Sequence, residues 1–309
     1  MIPHFENALR LFEVAQDQAG IADAMFNIAQ YRLEVDCNNA DTWQMMRRSI
    51  QLADDAGDAN TANLARVTLA NWTHFVMRLD EAEAMLREHV LRCEAQNDLS
   101  NLSKSLWCLG HLLAERMLLN ESAAYFLASG QIAEQIQNPY DQMHGYTCAA
   151  EIIRVSGNLS LSLEMLETQL AFARSHLPNV DQVFPTMLLA KALNEAGERD
   201  RAMALLIDCL KFYDLEHISK TIDFSHLFDN FGCVHSNNGN AMQAALMFGF
   251  ADACIVNGRY RRWAHSVWEL APFIARARAA LGDEAYDAAH AKGFALTIKQ
   301  AIEYTLDQT

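Results

Sequence analysis

Helix-breaking residues are scarce in this sequence, which has only five prolines and 13 glycines among its 309 residues. Runs of Val, Ile and Thr, which favour strands, are almost absent as well. The composition is 51% hydrophobic and 20% charged, which is too apolar for a disordered chain. Ala, Leu, Glu, Gln, Met and Arg dominate, and these residues are strong helix formers. The composition therefore predicts an all-α protein with a large buried core.

Positive charge is also in short supply, since the formal net charge is −15. Binding to nucleic acid through the phosphates needs a basic face, so we expect no direct contact with nucleic acid. The first residues, MIPHFE, do not form a signal peptide, and no run of 18 apolar residues predicts a membrane span. The seven cysteines are odd in number and scattered through apolar segments, as expected for free thiols in a core. We therefore expect a cytoplasmic protein.

A repeat runs through most of the chain. Similar segments would each open the second helix of a pair, and from the second segment onward they recur about every 40 residues. These segments are FENALRLF from Phe5, ADTWQMM from Ala40, LDEAEAML from Leu79, LNESAAYF from Leu119, NLSLSLEML from Asn158, ERDRAMALL from Glu198 and NAMQAALMF from Asn240. Apolar helices lie between them, and the turns carry Gly or Asn, as at Gly57, Asn97 and Gly157. This pattern predicts stacked helix pairs, because one pair alone cannot bury its apolar face.

The residues of these repeats resemble the tetratricopeptide family. Its characteristic Leu-Gly pair in the first helix is matched by Leu109-Gly110 and Phe231-Gly232. Its small and large positions in the second helix are matched by further residues, namely Ala8, Ala82, Ala202 and Ala244, and Phe12, Leu86, Phe126 and Phe248. The resemblance implies a right-handed superhelical solenoid of antiparallel helix pairs over residues 1–256. Residues 257–309 would form capping helices of the same domain.

The same resemblance implies a binding groove lined by the first helix of each pair. Transferred repeat by repeat, its lining positions fall on Asn27, Tyr31, Asn71, His74, Trp107, His111, Glu151, Arg154, Lys191, Asn194 and Asp229. Many of them are polar or aromatic on otherwise apolar helices, which suits molecular recognition. Packing of His74, Trp107 and His111 between adjacent helices is the alternative for those three.

The end of the chain carries a second resemblance. The residues that carry it are Ala280-Leu281-Gly282, Tyr286, Gly293, Leu296-Thr297 and Ala301-Ile302. They are similar to the segment that closes large LuxR-type, MalT-like, ATP-dependent bacterial transcription regulators. That resemblance implies a sensor region of a bacterial regulator. The modules that accompany it in such regulators have no counterpart here, because the chain contains no Gly-Lys dipeptide for a phosphate loop and no helix-turn-helix outside the repeats. Phe5–Phe12 would be a second helix without its first, so we expect either an excised sensor arm or a free-standing relative.

Motifs for chemistry are not found. The sequence has no Cys-x2-Cys and no His-Glu-x2-His, and Cys233 and His235 at i and i+2 would point to different sides of a helix. We therefore expect no catalytic residue, no metal and no cofactor. Arg259, Arg261 and Arg262 lie beside Trp263 and Trp268. They are interpreted as the end of a capping helix, with contact to nucleic acid or to an acidic partner as the alternative.

The sequence thus predicts a non-catalytic solenoid that binds a ligand or a protein in its groove and belongs to a bacterial signal-transduction or transcriptional regulator. A stand-alone scaffold for protein–protein interaction is the alternative. The expected partner is a protein or peptide, with a small-molecule effector and a homo-oligomer as further options.

Overall fold

A computed structural model describes residues 2–212, 221–258 and 261–307; the side chains of residues 221–223 are outside this description. These residues form sixteen α-helices and one short 3-10 helix, Asn179–Gln182, and contain no strand. The helices are α1 (Ile2–Ala15), α2 (Gln18–Val35), α3 (Ala40–Asp55), α4 (Ala59–Phe75), α5 (Leu79–Gln96), α6 (Leu99–Glu115), α7 (Leu119–Gln135), α8 (Pro139–Val155), α9 (Leu159–His176), α10 (Val183–Glu195), α11 (Arg199–Lys211), α12 (Thr221–Asn237), α13 (Ala241–Gly258), α14 (Ala264–Leu281), α15 (Asp283–Phe294) and α16 (Ile298–Asp307). The predicted all-α repeat fold is confirmed.

Local sequence explains where these helices begin and end. The second helices α3, α5, α7, α9, α11 and α13 start within one residue of the predicted positions. Asn39 caps α3 by accepting a hydrogen bond from the Thr42 N–H at 2.9 Å, which satisfies a free amide of the first turn. Asn97 and Gly157 close the turns that follow α5 and α8 with φ of 53° and 95°. Asn and Gly are the residues that adopt this left-handed conformation most readily.

The glycines of the Leu-Gly pairs let an aromatic ring approach the backbone. A Cβ atom added to Gly110 of α6 would lie 2.7 Å from the Phe126 ring of α7. Gly232 of α12 meets the Phe248 ring of α13 in the same way, at 2.5 Å. Phe126 and Phe248 occupy the large position of the second helix, and both are 1% exposed. The small residue in one helix therefore receives the large residue of its partner, as ridges-into-grooves packing requires.

The chain forms two compact units. Unit 1 consists of Met1–Leu113 with Ala124–Gly145, and unit 2 of Ala114–Ala123 with Tyr146–Thr309. In unit 1 one core cluster joins Phe26, Leu33 and Met46, and a second joins Leu86 to residues of α6 such as Leu109. Each cluster spans neighbouring helix pairs, as expected for a repeat protein.

Unit 2 is built around the most apolar helix described. α13 is long and apolar enough to cross a membrane by length and composition, but 61% of it is buried inside the protein. Phe250 packs in one cluster with Phe228 of α12, at 4.5 Å between ring centroids. Ala301 and Ile302 of α16 join that cluster. This burial is what a core helix of a globular protein shows.

The last two helices pack closely on α13. A Cβ atom on Gly293 of α15 would overlap the backbone carbonyl of Leu246, and one on Gly249 of α13 would overlap that of His290. α16 starts with a capping box, because Thr297 Oγ1 accepts from the Gln300 N–H at 3.3 Å and Gln300 Oε1 accepts from the Thr297 N–H at 2.9 Å. α15 and α16 thus cover the apolar side of α13.

Replacing Gly293 with alanine is expected to lower the free energy of unfolding by about 1–3 kcal/mol, because the added methyl group forces the α13 and α15 backbones apart. Urea denaturation measures this difference. The matched control is Ala288→Ser on the exposed side of the same helix, expected to stay within about 0.5 kcal/mol of the parent protein. Equal stability of the two variants would show that α15 does not pack this closely on α13.

Candidate functional site

The residues predicted to line a groove divide between the two units. The set in unit 1 lies on α2, α4 and α6 and consists of Asn27, Tyr31, Asn71, His74, Trp107 and His111. The set in unit 2 lies on α8, α10 and α12 and consists of Glu151, Arg154, Lys191, Asn194 and Asp229. We call each set the first-helix face of its unit. The two faces differ in what their side chains contact.

A buried ion-pair network forms the first-helix face of unit 2. Arg154 Nε and Nη2 each donate to the Glu151 carboxylate at 2.9 Å, and Arg154 Nη1 donates to Glu195 at 2.6 Å. Lys191 Nζ lies 2.6 Å from Glu151 Oε1 and 2.8 Å from Glu269 Oε2. Arg154 also pairs with Glu269. The structure therefore brings three of the predicted residues together and adds Glu269 of α14, which the sequence did not identify.

Opposite charges keep this network ionised although it is buried. Burial alone would raise the pKa of Glu151, but Arg154 and Lys191 outweigh it and hold that pKa well below its usual range. Burial would likewise lower the pKa of Lys191, but Glu151 and Glu269 outweigh it and raise that pKa. The Arg154 side chain is only 5% exposed. Its charge is therefore compensated by carboxylates rather than by water.

The residues just before α14 extend the network to other helices. Arg262 donates two hydrogen bonds of 2.8 Å to the Asp229 carboxylate in the bidentate geometry preferred by guanidinium groups. Arg261 Nη1 donates to Glu115 Oε1 at 2.7 Å, and Glu115 also accepts from the Ala264 N–H at 3.3 Å. Both arginines are thus paired with carboxylates of unit 2. Arg259, the third arginine of the predicted basic group, lies outside the described residues.

The segment 261–270 therefore lies across the first-helix face of unit 2, and we call it the clasp. It contacts Glu115, Glu151, Arg154, Lys191, Asp229 and other groups of successive first helices. Beyond the clasp, Ser236 donates to the Phe273 carbonyl at 2.9 Å, and Arg276 pairs with Asn237, whose amide donates to Asn194 at 2.9 Å. The sequence predicted a cap in this region. The structure shows that α14 also covers the face on which a guest was expected.

Glu151, His265 and Glu269 are a candidate metal cluster by residue type, because one ligand atom of each lies within 4.8 Å of the others. Carboxylate and imidazole ligands suit several divalent metals. Lys191 Nζ, however, bridges the two carboxylates at 2.6 and 2.8 Å. An ammonium group thus takes the position between the oxygens that a metal ion would need, and the cluster is best described as an ion-pair network.

The predicted residues on the first-helix face of unit 1 include no Asp, Glu, Lys or Arg. The Asn71 side chain is half-buried and makes no hydrogen bond within the described part of the chain. The indole Nε1–H of Trp107 is buried without an acceptor there. Asn27 donates to Asp23 within its own helix, at 2.9 Å to the carbonyl, and Tyr31 stacks on Phe5 at 5.9 Å. The half-buried Asn71 amide is therefore the polar group that this face leaves for a binding partner, and the half-buried Trp107 ring offers apolar contact.

Two predicted residues of unit 1 are placed in its packing instead. His74 is 1% exposed and therefore cannot touch a partner directly. His111 lies edge-on between Trp107 and Phe126, with ring centroids 4.1 and 4.8 Å away. The packing alternative thus describes the surroundings of both histidines, while Trp107 remains half-buried.

One serine–histidine contact in unit 1 has the geometry of a catalytic pair. His89 Nδ1 lies 2.8 Å from Ser105 Oγ, and Cys93 Sγ lies 3.7 Å from His89 Nε2. These side chains are at most 2% exposed, so no substrate can reach them. Burial raises the pKa of the Cys93 thiol to about 11, which disfavours the nucleophilic thiolate. The cluster is a satisfied polar group of the core.

A cavity of about 380 Å³ in unit 1 is lined by residues next to the start of α3. Its lining includes Arg47, Arg78 and Cys37, and Cys37 is the one cysteine of the seven that is not buried. The Trp43 indole N–H donates to the Cys37 carbonyl at 2.7 Å and fixes this loop against α3. Arg78 pairs with Glu81. The cavity lies away from the predicted first-helix residues.

The functional residues that the sequence did not identify are Glu269, Glu115 and the pairing role of Arg262. Arg154 and Glu269 are 115 positions apart, and Glu115 and Arg261 are 146 apart. A usable signal was present in the opposite charges of Glu151 and Lys191, which occupy equivalent positions of adjacent repeats. Charges on otherwise apolar first helices need buried partners, and α14 supplies them.

Comparisons with known proteins identify the fold and nothing finer. No protein-family model matches the chain, and no curated protein matches its sequence. Among solved structures the chain is similar to BtubC (BKLC) from P. vanneervenii, with a TM-score of 0.56 and 14% sequence identity. The similarity covers 71% of this chain and 92% of BtubC. The chain is therefore a helical-repeat protein.

Proposed function

We propose that this protein is a non-catalytic scaffold that binds a segment of another protein on the first-helix face of unit 1. The face combines half-buried aromatic rings with polar groups, the mixture found in protein interfaces. Asn71 and Trp107 lie next to residues of one core cluster, which joins Ala70 of α4 to Cys108 of α6. Both side chains are therefore held on rigid helices, a condition for specific binding.

One observation carries this proposal: the corresponding face of unit 2 already holds a polypeptide segment, the clasp. Its binding uses charges placed at the positions that the tetratricopeptide resemblance assigns to a guest. The equivalent positions of unit 1 carry the half-buried Asn71 amide and the half-buried Trp107 ring without such a guest. A protein segment with an acceptor group would pair with the Asn71 amide, and an apolar side chain of the same segment would pack on the Trp107 ring.

Replacing Asn71 or Trp107 with alanine is expected to weaken partner binding at least tenfold, equivalent to about 1.4 kcal/mol, because such central side chains dominate interface energies. The partner is first identified with a photo-crosslinking amino acid at position 71, and the affinity of the purified pair is then measured by calorimetry.

The control for both steps is Arg48, which is exposed on the second helix α3 of the same unit. A crosslinker at position 48 is expected to give no partner, and Arg48→Ala to change the affinity less than twofold. Equal crosslinking from positions 48 and 71 would exclude the first-helix face as the binding site. An affinity that is unchanged by alanine at position 71 and by alanine at position 107 would exclude it as well.

A bacterial signal-transduction regulator is the second candidate, in which the same face responds to a ligand or effector in the cytoplasm. The closing segment favours it, because the residues from Ala280 to Ile302 resemble the end of MalT-like regulators. Sequencing of the full transcript tests this context. A reading frame continuous with a nucleotide-binding or DNA-binding module would support the regulator, and its absence from the transcript would leave the scaffold.

A further inference from the structure

The clasp is attached to unit 2 mainly by charges. Arg261, Arg262 and Glu269 are its charged links to the first helices. Leu270, its last residue, is buried in an apolar cluster, whereas Val267 and Trp268 remain 55% and 64% exposed. The rest of α14 is attached differently, because Phe273, Ile274, Ala277 and Leu281 pack in an apolar cluster with α13 and α15. Charged contacts therefore dominate up to Glu269, and apolar contacts dominate from Leu270 onward.

A proline lies close to this change from charged to apolar contacts. Pro272 lies inside α14, where it cannot donate the hydrogen bond to the carbonyl four residues earlier. Missing bonds of this kind are the usual sites of helix bending. The hydrogen-bond ladder of α14 is therefore interrupted between the clasp and the apolar half of the helix.

The fit of the clasp is also incomplete. His265 is 7% exposed, and its Nδ1 atom has no hydrogen-bond partner among the described residues. The Nε atom of Arg261 is buried without a partner as well. Buried polar atoms without partners are costly, and buried ion pairs add little net stability over water. Another segment with the same charges could thus replace the clasp at little cost.

We infer that the clasp is an exchangeable occupant of the first-helix face of unit 2, and that the partner protein supplies a segment of the same charge order. That order is two adjacent basic residues followed, seven positions after the second, by a carboxylate, as in Arg262 and Glu269. The basic residues match Glu115 and Asp229, and the carboxylate matches Arg154 and Lys191. This inference rests on the proposed scaffold function and specifies a second docking site and its partner class.

The test uses a fluorescein-labelled synthetic peptide with the sequence of residues 261–276 and the full-length protein. Fluorescence anisotropy gives its affinity for the parent protein and for the variants Glu269→Gln and Arg262→Ala, which weaken the clasp. Both variants are expected to bind the peptide at least tenfold more tightly than the parent, because the competing clasp is released. A peptide with glutamine in place of its own glutamate is expected to lose at least tenfold in affinity for them.

Glu303→Gln, at an exposed site on α16, is the matched control and should bind the peptide as the parent does. Thermal unfolding confirms that each variant is folded before it is used, and the two clasp variants check each other. The inference would be overturned if the peptide bound the parent protein and the clasp variants with equal affinity, or if it bound neither folded clasp variant. Equal affinity of the glutamate peptide and the glutamine peptide for the clasp variants would overturn it as well. The crosslinks from position 71 report on unit 1 alone, so either result can fail while the other stands.

Discussion

Replacing Arg154 with methionine is expected to lower the free energy of unfolding by about 3–5 kcal/mol, because it removes one partner of a buried ion-pair network. Arg154 is 5% exposed and bonds three carboxylates, those of Glu151, Glu195 and Glu269. Methionine fills a similar volume but compensates no charge. Glu151 would retain only Lys191 as a partner, and burial would then raise the pKa of its carboxyl group.

Urea denaturation at neutral pH measures this loss. The matched control is Arg201→Met, because Arg201 also bonds two carboxylates, those of Glu167 and Glu198, but does so on the exposed surface. Solvent screening makes such surface pairs weak, so the control should keep the midpoint of the parent protein. Similar midpoints for the two variants would mean that the network does not hold the clasp region in place.

Acid is expected to destabilise the folded protein through its buried neutral histidines. Burial lowers the pKa of His89 from its ordinary value of 6.5 to about 4, and Arg66 and Arg92 add to the effect. Burial also lowers the pKa of His226 to about 4. As the pH falls through 6.5, these histidines become protonated in the unfolded chain but stay neutral in the folded protein. The stability present above this pH is therefore lost as the pH approaches 4.

For His89 alone this loss amounts to about 2 kcal/mol between pH 7 and pH 5. His89→Gln is expected to remove that part of the pH dependence, as measured by urea denaturation at the two pH values. Ser105→Ala is the control, since it deletes the hydroxyl bonded to His89 but keeps the imidazole. It should lower stability at both pH values and retain the dependence. An unchanged slope in the glutamine variant would contradict the assignment.

The repeat architecture could be predicted because its determinants are local. Helix starts follow capping residues such as Asn39 and Asn158, and the close contacts of helix pairs follow glycines such as Gly110. Each of these signals acts within a few residues or within one helix pair. From Ala40 onward the recurring segments therefore predicted the starts of the second helices to within one residue, whereas α1 begins three residues before Phe5.

The candidate site was predicted only in part, for a physical reason. The first-helix positions of Glu151, Arg154 and Lys191 follow from the repeat, and their charges were visible in the sequence. Tertiary contacts decide whether these residues face solvent, a bound segment of another protein, or α14 of the same chain. That choice depends on contacts between residues 78 and 115 positions apart, such as Lys191–Glu269 and Arg154–Glu269, and no periodicity encodes them.

The burial of the cysteines allows thiol labelling of the native chain to report on its local opening. Six cysteines are buried, and burial raises the pKa of the thiols of Cys108, Cys209 and Cys254 to about 12. Alkylating reagents therefore cannot reach these three thiols, which also remain protonated at neutral pH. Cys37 is the exception. A maleimide dye can therefore be attached at one place without mutagenesis, and slower labelling of the other thiols would record how often each unit opens.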